Sequence, residues 1–119
     1  MTDDLAVLDN GVLDELRASV GGDEDFVRDL VQTYLAEGPQ HLGQITAAAG
    51  RADAEAIVRP AHTLKSSSAA LGATRMSAIS RQIEFCGREG RVVDLAPLAD
   101  EAQQVWAATV VALKAAGLS

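Results

Sequence analysis

His62 and Lys65 stand three residues apart in the stretch RPAHTLKSSSAALGA (59–73), where most neighbouring side chains are small. An imidazole acts as a nucleophile when one ring nitrogen holds a proton and the other keeps its lone pair. A nucleophile of that kind needs an unhindered nitrogen and a partner that fixes the tautomer. The small residues give access and Lys65 is a cation close by, so the tautomer-fixing partner has to come from elsewhere in the chain. His41, the other histidine, falls on the solvated part of a helical pattern and is read as a solvated residue.

The elements that must position His62 are helices. Apolar residues recur at helical spacing throughout, no segment alternates with period two, and Gly and Pro punctuate the pattern. This predicts helices over about 9–20, 23–49, 53–71, 74–88 and 94–116. The first buries Val12, Leu13 and Leu16 and stops at Gly21-Gly22. Asp23 caps the second, whose apolar row is Phe26 or Val27, Leu30, Val31, Tyr34, Leu35, Leu42, Ile45 and Ala49, with a kink at Gly38-Pro39. Past Gly50, Asp53 caps the third, which Pro60 should bend and Gly72 should end. The fifth turns Leu95, Leu98, Ala102, Val105, Trp106, Thr109 and Leu113 inward. Short connections between long helices imply antiparallel neighbours. The expected fold is all-α, an up-down-up-down four-helix bundle with a short additional N-terminal helix, as one domain over residues 1–119.

On the third helix, Ile57, Ala61, Leu64, Ser68 and Leu71 share an arc of about 80° that must face the core, at 100° per residue. His62 lies about 130° from the centre of that arc, on an exposed flank with Arg59, Lys65, Ser66 and Ala69. On the fourth helix Met76, Ile79, Ile83 and Cys86 form the core stripe, and Arg81, Glu84 and Arg88 lie along one flank. If the chain turns at Gly72–Ala73, His62 and Glu84 are each about eleven residues from the turn and stand side by side across the hairpin. Glu84 is therefore a candidate to accept a hydrogen bond from one imidazole nitrogen and leave the other free. A surface salt bridge from Glu84 to Arg81 or Arg88 is the competing assignment.

Composition excludes several classes. The 119 residues carry a formal charge of −7 with no compensating basic cluster, which disfavours nucleic acid as a partner. The single cysteine, Cys86, rules out an internal disulfide and suits a reducing compartment. No apolar run approaches a membrane span and the start, MTDDLAVLDN, is unlike a signal peptide, so a cytoplasmic protein is expected. No P-loop, nucleotide-binding glycine motif or magnesium site is found.

AHTLKSSSAALGA resembles the signature of histidine-containing phosphotransfer (HPt) domains: a histidine, leucine two on, lysine three on, small residues, then Leu-Gly. Leu8–Leu16, Phe26–Ala49, Asp53 and RQIEFCGREG also fall where that family has counterparts, so the likeness covers nearly the whole chain. Many members have glycine directly after the lysine; here it is Ser66. The resemblance implies a four-helix bundle that accepts and donates a phosphoryl group on His62, to and from aspartates of receiver domains. It further implies charge from Lys65, ring orientation by Glu84, and a receiver-docking surface of Arg59, Ser66, Ala69, Arg81 and Arg88. The protein would be a carrier with no cofactor or metal of its own, any Mg²⁺ belonging to the receiver.

Expected partners are response-regulator receiver domains or a hybrid sensor histidine kinase, and a monomer is expected. The Met1 start and the lack of a linker suggest a free-standing protein. The dimerisation domain of a sensor kinase would place an acidic residue directly after the histidine, where Thr63 stands, and a proline soon after. A serine hydrolase built on Ser66, Ser67 or Ser68 lacks the strand–turn–helix elbow. A helical adaptor that binds a receiver without chemistry is the remaining alternative, and it would have no need of His62, Lys65 and Glu84 together.

Overall fold

Three aspartates start the first three helices. Oδ1 of Asp9 accepts from the backbone N–H of Gly11 (2.9 Å), that of Asp23 from Phe26 (3.1 Å), and that of Asp53 from Ala56 (3.0 Å). Each occupies a donor that a helix start leaves open, worth about 1 kcal/mol. In the computed structural model, which describes residues 4–119, these caps open α1 (Asn10–Ser19), α2 (Glu24–Gly50) and α3 (Ala54–Ala70). Beyond them come α4 (Thr74–Glu89), a 3₁₀ turn at Val92–Asp94, and α5 (Leu95–Ala115). The described residues contain no strand.

All five helices close in the same manner. A residue at the end takes a left-handed conformation (the cap itself in α4, the residue after the cap in the others), and the next N–H reaches back to a carbonyl one turn earlier, as in Asp53 N–H to Ala48 O at 2.9 Å and Ala73 N–H to Ser68 O at 2.9 Å. Four of the left-handed residues are glycines: Gly21, Gly72, Gly90 and Gly117, with φ of 66°, 77°, 69° and 75°. The fifth is Ala52, at φ 54°. Gly50, one residue past the expected end of the second helix, is the last helical residue of α2, and the stop is made by an alanine held where a Cβ is strained.

Helices α2, α3, α4 and α5 pack in a closed ring, each against the next and α5 back on α2, which is the four-helix bundle expected from the short connections. The expected core faces of α3 and α4 are buried in full. The expected α2 row is buried less completely: Phe26 is 47% exposed, Leu30 37%, and Leu35 is half-buried. Val27 and Val31 occupy the inward positions, since on a helix adjacent residues cannot share a face.

Gly38-Pro39, expected to kink α2, lies within one continuous helix. Gly38 is buried because the Trp106 ring of α5 lies against it; a Cβ there would sit 2.1 Å from a ring carbon. Trp106 also packs on Tyr34, with ring centroids 5.1 Å apart, and the Tyr34 hydroxyl meets Ser68 Oγ at 2.7 Å in the core. Burial, partly offset by that hydrogen bond, pushes the Tyr34 phenol up to about 12.

Two close approaches set the position of α4. Gly87 lies where a Cβ would meet Ile57 Cγ2 at 2.7 Å and Ala54 O at 2.9 Å, so α3 and α4 come together with nothing between them. At the turn, the carbonyl of Gly72 accepts from Asp9 N–H at 2.7 Å, which seats the start of α1 on the α3–α4 connection. The result is a rigid α3–α4 hairpin whose register fixes which side chains meet across it.

Candidate functional site

His62 and Glu84 meet across that hairpin. Nδ1 of His62 lies 2.9 Å from Oε2 of Glu84. An ionised carboxylate has no hydrogen to give, so Nδ1–H donates, and in the neutral ring Nε2 keeps its lone pair. The His62 side chain is 55% exposed, which leaves Nε2 open to an incoming group.

Glu84 differs from its sequence reading in one respect that matters chemically. Its side chain is only 7% exposed, so it is a buried carboxylate rather than a flank residue. A buried charge must be compensated, and here three donors converge on it. Lys65 Nζ lies 2.7 Å from Oε1; Arg88 Nη2 lies 2.8 Å from Oε2, the oxygen that also takes the His62 proton. Burial alone would raise the carboxyl, but hydrogen bonds from Lys65, Arg88 and His62, with the Lys65 charge, outweigh it and hold the group at about 2. Glu84 is thus ionised throughout the neutral range. The two assignments left open for Glu84 turn out to hold together, since it accepts from His62 and pairs with Arg88 at once.

The remaining predicted residues divide between two surfaces. Arg59 and Arg88 line an open groove of about 950 Å³ with His62, beside the small residues Ala54, Gly87 and Gly90. Ala69 and Arg81 line a second hollow, with Ser77, the α1 cap Asp9 and Val12 of α1. Arg81 belongs to that hollow and is not among the cations on Glu84. Ser66 is exposed on the same helix as His62, one position past Lys65. His41, expected to be solvated, is half-buried on α2.

Two features escaped the sequence reading. Lys65, assigned to an incoming group, is engaged by Glu84; its spacing of three from His62 put it on the right face but could not reveal the shared acceptor. Ser77 Oγ also donates to the Lys65 backbone carbonyl at 2.9 Å, a second tie between α3 and α4 just above the turn.

Among the described residues no group of three or more His, Cys, Asp or Glu side chains is placed to hold a metal ion, and no helix is long and apolar enough to cross a membrane.

A family model described as Hpt domain matches residues 29–116. The chain is also similar to the crystal structure of histidine-containing phosphotransfer protein B (HptB) from Pseudomonas aeruginosa PAO1. The TM-score is 0.83 at 25% sequence identity, with 91% of each chain covered. Among curated proteins, none matches.

Proposed function

The chain belongs to the Hpt domain family and serves histidine phosphotransfer in a phosphorelay, and we propose that His62 is the residue that carries the phosphoryl group, on Nε2. Proteins of this family are phosphocarriers that interact with receiver domains and histidine kinases. The observation that carries the assignment is the 2.9 Å contact of Nδ1 with Glu84 on a ring left 55% exposed.

In transfer from a phosphorylated aspartate, the Nε2 lone pair attacks phosphorus in line. The P–O bond to the aspartyl oxygen breaks, and the carboxylate leaves with that electron pair. The Nδ1 proton stays in place, so the ring becomes a phosphorylated cation with the Glu84 carboxylate against it. Reversal passes the group onward to another aspartate, as a P–N bond of high transfer potential allows. Lys65 stands close enough to share its charge between Glu84 and the phosphoryl oxygens, and Arg59 adds charge from the groove.

The receiver would dock over Arg59, Ser66, Ala69, Arg81 and Arg88, all exposed around the α3–α4 flank. The hairpin from Ala54 to Glu89 holds five Lys and Arg against three Asp and Glu, in a chain of net charge −7. That local excess suits the acidic mouth of a receiver, where any Mg²⁺ would reside. On this reading the chain is a monomeric carrier with no cofactor of its own.

A receiver charged with acetyl phosphate should label the protein with an acid-labile, alkali-stable phosphate. His62→Gln should abolish the label with helical content unchanged, and Glu84→Ala should slow transfer in an intact fold. Label persisting on His62→Gln excludes this assignment, and a wild type that binds the receiver yet takes no label leaves the non-catalytic adaptor.

A further inference from the structure

A lone buried carboxylate against a histidine favours the doubly protonated ring, because it attracts the imidazolium more than the neutral imidazole. For phosphoryl acceptance that would be counterproductive, since an imidazolium has no lone pair on Nε2. The charges around His62 resolve the conflict. The groups that face it are Glu55, Arg59 and Lys65 from α3, and Glu84, Arg88 and Glu89 from α4. Of these, Lys65 and Arg88 contact Glu84 directly, and Arg88 does so on the same oxygen as the ring, at 2.8 Å against 2.9 Å for Nδ1.

Resting on the assignment of His62 above, we infer that Arg88 is a positioning residue for the transfer: by sharing Glu84 Oε2 with the ring and neutralising it together with Lys65, it lets Glu84 fix the tautomer without holding a second proton on the imidazole. The geometry carries this through the shared oxygen, which meets Arg88 Nη2 at 2.8 Å and His62 Nδ1 at 2.9 Å. An oxygen that already accepts from a guanidinium is a weaker acceptor for Nδ1–H, and it draws the proton less. Lys65 occupies the other oxygen, so it contributes charge but does not compete for the hydrogen-bonding site. Arg88 sits at i+4 from Glu84 on one helix, so the sharing is set by α4 itself and holds before any partner arrives.

This role is separable from receiver docking, which a surface arginine 59% exposed could also serve. The deciding experiment is an NMR titration of the His62 ring nitrogens in the unphosphorylated full chain, for wild type, Arg88→Gln, Arg88→Lys and Glu84→Gln/Arg88→Gln. His41, the second histidine, is the internal control. The His62 titration should move to higher pH in Arg88→Gln, stay near wild type in Arg88→Lys, and fall back when Glu84→Gln removes the carboxylate. The pH profile of phosphoryl acceptance should move in the same direction in Arg88→Gln. Superimposable His62 titrations for wild type and Arg88→Gln overturn the inference. So does a shift that survives Glu84→Gln, which would place the effect outside the carboxylate. Because the titration needs no phosphoryl group, it is decided independently of whether His62 carries one.

Discussion

Lys65 Nζ lies 2.7 Å from Glu84 Oε1, on the carboxylate whose other oxygen holds His62. On the proposed assignment, the cation that would meet the phosphoryl group is stationed on the residue that would orient the nucleophile. It is drawn toward an arriving dianion without having to leave a solvated position, and its side chain, 31% exposed, has little freedom to lose.

Removing that cation should show in the rate. Lys65→Ala is expected to slow phosphotransfer from a charged receiver about tenfold, equivalent to about 1.4 kcal/mol of barrier, with the helical content retained. The comparison is made at low salt, where the charge acts with least screening. An unaltered rate there would show that Lys65 serves the fold alone.

Glu84 links the site to acid stability. Its carboxyl is held at about 2 in the folded chain against an ordinary 4.5. A depressed folded value contributes stability that is fully present above about 4.5 and is lost as pH falls toward 2. Urea unfolding of wild type and Glu84→Gln across that range should show the wild-type advantage shrinking as pH drops through the window. A difference independent of pH would mean that the ion pairs with Lys65 and Arg88 add nothing to the folded state.

Gly38 tests the packing that supports α2 against α5. In Gly38→Ala the new methyl must displace the Trp106 ring, at a cost of about 1–3 kcal/mol typical of overpacking. Trp106 is the sole tryptophan, so its fluorescence reports both the displacement and the unfolding midpoint. Unchanged stability would show that the half-buried ring swings aside freely.

Ala52 offers the opposite sign. Its φ of 54° suits glycine, and Ala52→Gly should stabilise the chain by about 0.5–1 kcal/mol, the relief of strain exceeding the added chain entropy. The site lies in the α2–α3 turn, so phosphotransfer should be unaffected. Loss of stability would mean that the turn tolerates alanine at no cost.

The sequence by itself determined the helices, their starts at Asp9, Asp23 and Asp53, the inward faces of α3 and α4, and the pairing of His62 with Glu84. All of these depend on spacing along one helix or on equal distances from one turn. Periodicity gives the phase of a side chain about its own axis, and a tight turn carries that phase to the next helix. Tertiary structure decided what spacing cannot express. Phe26 and Val27 compete for one inward position, and only the helices opposite choose between them. Gly38 reads as part of a kink until the Trp106 ring is seen against it. Glu84 reads as a surface acid until α3, brought close by Gly87, covers it. Burial is a property of neighbours, and it is burial that draws Lys65 and Arg88 onto one carboxylate and makes the environment of His62 a matter of shared charge.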